Sequence, residues 1–185
     1  MNSNPAQQGK GVIKRTVLET ERLVLREIDE NDTAFIIRLV NSPGWLQYIG
    51  NKQIYDTVSA LAYIRNGPQK SYAVNGFGLY LAETRNSNEP IGMCGIIKRD
   101  GLENADIGFA LLPEYTGKGY ALEMAQATLL FANNRLGLKK ITAITTQDNQ
   151  SSISLLGKLG LQFVKTIRLK ADEDLLLLFE TGIAE

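Results

Sequence analysis

Two glycines one residue apart, with a lysine between them, sit within the stretch Pro113–Glu114–Tyr115–Thr116–Gly117–Lys118–Gly119–Tyr120–Ala121–Leu122–Glu123. An apolar, strand-like run, Ile107–Leu112, enters this stretch and an apolar-faced helix leaves it. Glycine has no Cβ, so a loop of this composition lets backbone N–H groups come very close to a ligand. The positive end of the following helix aims at the same point, which suits an anion and above all a phosphate. The competing reading of the same residues is a plain helix-initiating turn. A nucleotide-triphosphate loop ends in Gly-Lys-Ser/Thr, and here Gly119 follows Lys118. A dinucleotide fingerprint wants a small residue where Leu122 stands and an acid about twenty positions on, where Lys139–Lys140 stand. Both fail.

The rest of the reactive inventory is short. There is no histidine, which removes the commonest metal ligand and general base, and with them most zinc and Ser-His-Asp chemistries. No metal is expected. The single cysteine, Cys94, cannot form a disulfide within the chain, and its neighbours Met93, Gly95 and Ile96 mark it as an inert buried thiol. Twenty basic residues balance twenty acidic ones, so the charge gives no footprint for nucleic acid or an anionic membrane. The longest aliphatic run, Leu175–Phe179, is far short of a membrane span, and the polar N-terminus lacks the apolar core of a secretory signal. The chain reads as cytoplasmic.

These residues need a scaffold. A length of 185 residues, 44 % apolar and 22 % charged, describes one globular domain that can bury a core unaided. Residues 1–14 read as a flexible tail and 15–185 as the domain. Thr16–Arg26 has a strand pattern. Asp29 or Asn31 caps a helix through Asn41 that Ser42–Pro43–Gly44 ends, and Trp45–Gly50 is an aromatic connection. A second helix covers Asp56–Asn66, with Val58, Leu61, Ala62 and Ile64 on its apolar side. Gly78–Glu83, Ile91–Lys98 and Ala105–Leu112 are strands, the last two joined through Asp100–Gly101. The helix after the glycine loop carries Leu122, Ala125, Leu129, Ala132 and Leu136 at steps of three and four. Lys140–Thr146 is a strand. Asp148 or Asn149 caps a helix to Leu159, Gly160 stops it, and Phe163–Leu169 and Leu175–Glu180 are the last strands. The order predicts an α/β (α+β) protein built on one mixed central sheet flanked by helices.

At this point the residues resemble a known family. Pro113–Leu122 is similar to the acyl-CoA loop of the GNAT N-acetyltransferase superfamily, whose core pattern is Gln/Arg-x-x-Gly-x-Gly/Ala. Gly119 and Ala121 fit it, and Thr116 stands where Gln or Arg is usual. Asn149–Leu161 resembles Asn-x-x-Ser-x-x-Leu-x-x-Lys-x-Gly-Phe, with Leu161 for Phe. Asp106–Ile107–Gly108–Phe109 resembles the Glu/Asp-Ile-Gly-Tyr/Phe before the loop. With Glu19–Thr20–Glu21–Arg22–Leu23 and Leu25–Arg26, these look like the ribosomal-protein-alanine (N-terminal) acetyltransferase branch, over roughly residues 16–180. The resemblance implies the acyl-CoA N-acyltransferase fold, whose sheet is mostly antiparallel, and direct acetyl transfer from acetyl-CoA to a primary amine in a ternary complex.

It also implies roles. Thr116, Gly117, Lys118, Gly119, Tyr120 and Ala121 would hold the pyrophosphate. Ala110, Leu111 and Leu112 would pair with the pantetheine arm and offer an N–H to the thioester carbonyl, where charge develops in the transition state. Asn149 would hydrogen-bond the arm, or simply cap its helix, and Lys158 would reach a CoA phosphate or stay solvated. The superfamily's thiolate-protonating tyrosine is replaced by Leu156, which leaves Ser152 as the next candidate for the thiolate. Asp106 matches the strand acid and is the candidate base; by alternation it shares a face with Gly108, opposite Ile107 and Phe109. Glu103 is a weaker rival. Trp45 and Tyr48 are candidates to line the acceptor pocket.

An α-amine of pKa near 7.8 is roughly 14 % neutral at pH 7, whereas a lysine near 10.4 is roughly 0.04 % neutral. A site this poor in acid–base groups therefore suits an N-terminal α-amine or another low-pKa small amine. The alternatives are an aminoglycoside-type acceptor, which would want an acidic groove that these scattered acids do not supply, and a silent acyl-CoA-binding module. The chain is expected to be a monomer or homodimer.

Overall fold

The computed structural model describes residues 15–170 and 174–182. The expected tail, residues 1–14, lies outside the described residues.

Strand β1 (Thr16–Glu19) turns back through Thr20–Arg22 into β2 (Leu23–Arg26), so the single strand expected over Thr16–Arg26 is an antiparallel hairpin. Thr20 makes the turn: its N–H donates to the Leu23 carbonyl at 2.9 Å and its hydroxyl accepts from the Leu23 N–H at 2.9 Å. A 3-10 turn capped by Asp29 leads into α1 (Thr33–Val40). Residues 45–50 do not form a mere connection. Helix α2 (Pro43–Tyr48) begins there, because Pro43 occupies the first turn, where its missing N–H costs nothing.

Helix α3 (Thr57–Ile64) starts at Asp56, whose carboxylate accepts from the Ser59 N–H at 2.7 Å. It does not stop near Asn66. A π-helical turn (Arg65–Gln69) accommodates Pro68 and the helix resumes as α4 (Lys70–Asn75). The buried positions of α3 are Ala60 and Ile64, while Val58, expected inside, is 77 % exposed.

The remaining elements follow the expected order: β3 (Leu79–Thr84), β4 (Pro90–Ile97), β5 (Asp106–Leu111), α5 (Tyr120–Leu136), β6 (Thr142–Thr146), α6 (Gln150–Lys158), β7 (Leu161–Ile167) and β8 (Leu176–Thr181). The eight strands form one sheet in the order β1-β2-β3-β4-β5-β6-β8-β7, and every neighbouring pair except β5–β6 is antiparallel. Each face has its own core. On one, Leu23, Leu25, Ile107, Met124 and Leu156 gather under α5 and α6. On the other, Ile36, Leu39, Trp45, Ile64, Leu81, Met93 and Leu112 gather under α1, α2 and α3.

Between β2 and β3 lies a buried ion cluster. The Arg26 guanidinium donates to both Asp32 oxygens at 2.7 and 2.8 Å, and to one Glu83 oxygen from Nε at 2.9 Å and Nη2 at 2.7 Å. Asp32 also accepts from the Asp29 N–H at 2.8 Å, so the cluster ties the entry to α1 onto the sheet.

Candidate functional site

The parallel neighbours β5 and β6 are joined at a single register position, Asp106↔Thr142, and diverge beyond it. The Leu112 N–H donates to the Ile91 carbonyl at 2.8 Å, on the β4 side, while the Ala105 carbonyl accepts from Thr142 N–H at 2.9 Å, on the β6 side. The β4–β5 register has no shift, so backbone groups alternate strictly between these two edges. Residues 106, 108, 110 and 112 address β4, and the N–H groups of Phe109 and Leu111 turn into the gap, where no strand pairs with them. Buried backbone donors need partners. The gap is therefore shaped for an extended ligand that adds hydrogen bonds where a strand is missing.

This corrects two expectations. Leu112 is buried in the α1–α3 core, and its N–H is spent on Ile91. Ala110 pairs with Met93, so its backbone also faces β4. Leu111 keeps the expected orientation, and Phe109, which the sequence did not single out for this role, joins it. The missing signal was the register with β4.

A cavity of about 1000 Å³ runs through the splay and opens on both sheet faces. On the α5–α6 side it is lined by Thr116, Gly117, Gly119, Ala121, Asn149, Ser152, Leu156 and Lys158. On the α1–α3 side lie Trp45, Tyr48, Lys52, Tyr63, Arg99 and Asp106. Gly108 lets the Ile97 side chain pack against the strand on this side, since a Cβ there would sit 2.7 Å from Ile97 Cδ1.

The glycine loop closes the first side. Gly117 and Gly119 adopt φ of +73° and +82°, the left-handed region where a side chain is strained. Gly119 is the N-cap of α5 and no side chain caps the helix. The first bond of the turn runs from Glu123 N–H to the Gly119 carbonyl, which leaves the N–H groups of Tyr120, Ala121 and Leu122 without intrahelical acceptors. An anion answers both the unpaired donors and the helix dipole. Thr116 lines the cavity but turns its hydroxyl to the Pro113 carbonyl at 2.7 Å. Lys118 and Tyr120 do not line it with their side chains: the Lys118 ammonium lies 5.4 Å over the Tyr115 ring, and the Tyr120 ring lies under Arg22 at 4.4 Å.

Arg22 is what holds the loop. Its Nη1 donates to the Lys118 carbonyl at 3.0 Å, and its Nε to Glu123 at 2.6 Å. Glu123 also accepts from the Arg22 N–H at 2.9 Å and the Thr20 hydroxyl at 2.5 Å. The β1–β2 turn thus clamps the start of α5, which gives the Thr20–Glu21–Arg22 motif a physical role. Arg22→Ala is expected to weaken CoA binding by about five- to tenfold, the scale of one ordinary hydrogen bond, with little effect on kcat. Calorimetric titration of CoA against both proteins measures it. Equal affinity would show that the clamp does not shape the loop.

In α6, Asn149 divides its carboxamide. Its Oδ1 accepts from Ser152 N–H at 3.1 Å and from the Ser151 hydroxyl at 2.9 Å, while Nδ2 has no partner among the described residues and lies on the cavity. Capping and ligand binding are therefore compatible. The Ser152 hydroxyl likewise makes no hydrogen bond among the described residues, and Leu156 walls the cavity beside it.

Across the splay, Asp106 stands at its root with its carboxylate 2 % exposed. Arg99, on the loop after β4, donates to it from Nη2 at 3.1 Å and from Nε at 3.3 Å. Burial raises the Asp106 carboxyl above its ordinary value, and the facing guanidinium only partly reverses this. Trp45 is buried with its indole N–H unpartnered, and Tyr48 is half-buried on the wall. Tyr63, absent from the sequence expectations, also lines this side; burial pushes its phenol up to about 12, so it stays protonated at neutral pH. Glu103 lies on a different cavity. Cys94 is fully buried, its thiol raised to about 12. Among the described residues no cluster of His, Cys, Asp and Glu could hold a metal, and no helix is long and apolar enough to cross a membrane.

A chain of this design can seat a pyrophosphate on the loop, thread an extended arm past Phe109 and Leu111, and meet a second reactant on the far side of the sheet. Comparison with known proteins agrees. The family model for the acetyltransferase (GNAT) domain matches residues 22–162. The chain is 30 % identical to the uncharacterized protein YkkB of Bacillus subtilis (strain 168) over 158 residues, covering 83 % of this chain and 90 % of that one. It is 27 % identical to the uncharacterized N-acetyltransferase YoaA of the same organism, over 79 % of this chain and 82 % of that one. Among solved structures, an acetyltransferase from Agrobacterium tumefaciens shares the fold at a TM-score of 0.76 and 21 % identity, over 98 % of this chain and 99 % of that one. RimL, a ribosomal L7/L12 alpha-N-protein acetyltransferase in complex with coenzyme A, shares it at 0.77 and 18 %, over 91 % and 98 %. The family match takes in both strands of the splay and the loop between them, and on that ground the chain belongs to the GNAT acetyltransferase family.

Proposed function

We propose that the protein transfers the acetyl group of acetyl-CoA to an α-amine, that of a peptide N-terminus or of a small molecule, by direct attack across the splayed strands. The observation that carries this reading is the position of Asp106. It stands on the α1–α3 side of the cavity, opposite the glycine loop, so an amine beside this base would meet the thioester carbonyl from the face opposite the cofactor loop.

The orphan N–H groups of α5 and the two left-handed glycines fit a pyrophosphate, and the unpaired edge of β5 fits an amide-bearing arm. The free Asn149 Nδ2 supports the arm from the opposite wall. One β5 N–H, of Phe109 or Leu111, donates to the thioester carbonyl as negative charge gathers there. The amine nitrogen forms the new C–N bond and the C–S bond breaks. Asp106 takes the proton released from nitrogen, and the Ser152 hydroxyl hydrogen-bonds the departing thiolate, which takes its proton from solvent and leaves as CoA thiol. Leu156 supplies no proton to that thiolate, and Asp106 can take one proton per turnover, so an amine that arrives already neutral suits the site. That condition favours an α-amine over lysine. The polycation reading finds no support, because among the described residues Asp106 is the only acid lining the cavity and Arg99 is already paired with it.

Thiol release from acetyl-CoA tests the proposal on two peptides, one with a free α-amine and no lysine, the other blocked at its N-terminus with one lysine. The first should turn over at least tenfold faster. A faster lysine peptide would sink the α-amine assignment, and CoA binding without turnover on any amine would favour a silent module.

A further inference from the structure

The charges on the acceptor side of the cavity are unbalanced. Among the described residues its lining holds Lys52 and Arg99 against a single acid, Asp106. Asp106 already receives Nε and Nη2 of Arg99, while Arg99 Nη1 faces no acceptor among the described residues. Lys52 makes no ion pair among the described residues and is exposed. With Arg99 paired to Asp106, a neutral or cationic acceptor would leave the Lys52 charge without a counter-ion.

The segment that carries Lys52 is held in shape. Gly50 has φ of +94° and Gln53 has φ of +56°, a left-handed conformation rare for a residue with a long side chain. The turn is fixed by the Gln53 N–H donating to Asn51 Oδ1 at 2.7 Å and by Asn51 Nδ2 donating to the Tyr55 hydroxyl at 2.7 Å. Just beyond it, Asn41 Nδ2 donates to the Ile54 carbonyl at 2.7 Å and anchors the loop to α1. Local strain persists only where surrounding contacts over-determine it, and it gathers at functional sites. Here it keeps a lysine at the cavity mouth beside Tyr48.

We propose that Lys52 is a specificity-determining residue and that the acceptor is an amine bearing a carboxylate, drawn in by Lys52 and the free edge of Arg99. This rests on the acetyl-transfer reading of the same site. The carboxylate has two sources: the acceptor's own α-carboxylate, if it is a free amino acid, or acidic side chains next to the N-terminus, if it is a peptide. Fields of this kind act on encounter and selectivity and fade with salt.

The experiment measures kcat/KM, expressed per neutral amine because a free amino acid's α-amine is more basic than that of its amide, for four probes: peptides beginning Ala-Glu-Glu and Ala-Gln-Gln, and free alanine and alaninamide. The wild-type protein should favour the carboxylate-bearing member of one pair by about fivefold, the scale of an exposed ion pair. The pair that discriminates identifies the source. In Lys52→Gln that ratio should fall toward one, and in Lys52→Glu it should invert; raised ionic strength should erode it in the wild type. Turnover with no preference, or a preference that neither variant moves, overturns the inference and leaves acetyl transfer standing. No turnover of any probe removes both.

Discussion

Asp106→Asn is expected to lower kcat by about 10²–10⁴-fold, the usual worth of general-base assistance, with CoA affinity unchanged. The residue stands on the acceptor side of the sheet, whereas the loop and the β5 edge that fit the cofactor lie across it. The amide keeps the shape and loses the basicity. The pH profile carries the finer test. Burial sets the Asp106 carboxyl above the ordinary carboxylate range, and only its ionised form accepts a proton. Activity should therefore disappear as pH falls through that raised value. Arg99 opposes the rise, so Arg99→Gln should move this acid limb to higher pH while Asp106→Asn abolishes it. An Asn variant with wild-type kcat would remove Asp106 from the chemistry. An Arg99 variant with an unmoved limb would show that the ion pair does not tune it.

Arg26→Met is expected to cost about 3–5 kcal/mol of folding stability, because it takes the guanidinium away from two carboxylates, Asp32 and Glu83, that are buried with it. Both carboxylates lie almost out of solvent, at 8 % and 5 % exposure. Burial alone would pull the guanidinium's proton affinity down, but the hydrogen bonds it donates to Asp32 and Glu83 outweigh it and hold the group charged. For a domain of this length the loss corresponds to a fall in Tm of about 10 °C, read by thermal or urea unfolding. Replacing Asp32 and Glu83 by leucine in the same variant should recover part of it, since an apolar cluster avoids the desolvation cost. Recovery should stay partial because Asp32 also accepts from the Asp29 N–H. A Tm within a degree or two of wild type in the single variant would show that the cluster does not hold α1 to the sheet.

What the sequence made legible were features whose cause is local. Gly117 and Gly119 need no partner to suggest an anion loop, because their freedom and the helix that follows are adjacent in the chain. Asn149 caps its helix through a bond three residues on, as expected. Asp106 and Gly108 share a strand face through simple alternation, and the structure puts both on the α1–α3 side of the cavity. The misses were set by distance or by exceptions to local rules. Pro43 starts α2 rather than closing the helix before it, and the helix expected to end at Asn66 runs on because a π turn absorbs Pro68. That Phe109 rather than Ala110 offers its N–H to the gap follows from the Leu112–Ile91 bond, which no reading of β5 alone contains. Arg22 reaches the loop across about a hundred residues, and Arg99 finds Asp106 only once β4 and β5 have paired.

The central claim is that cofactor and acceptor occupy opposite ends of one cavity through the β5–β6 splay. A crystal structure of the protein with CoA tests it most directly. The pyrophosphate should lie on the N–H groups of Gly117–Leu122, the arm should pair with Phe109 and Leu111 and accept from Asn149 Nδ2, and the sulfur should point toward Ser152 with Asp106 across the sheet. CoA bound elsewhere, above all in the separate cavity by Lys98, Lys139 and Lys140, or a sulfur turned away from the Asp106 side, would contradict the account.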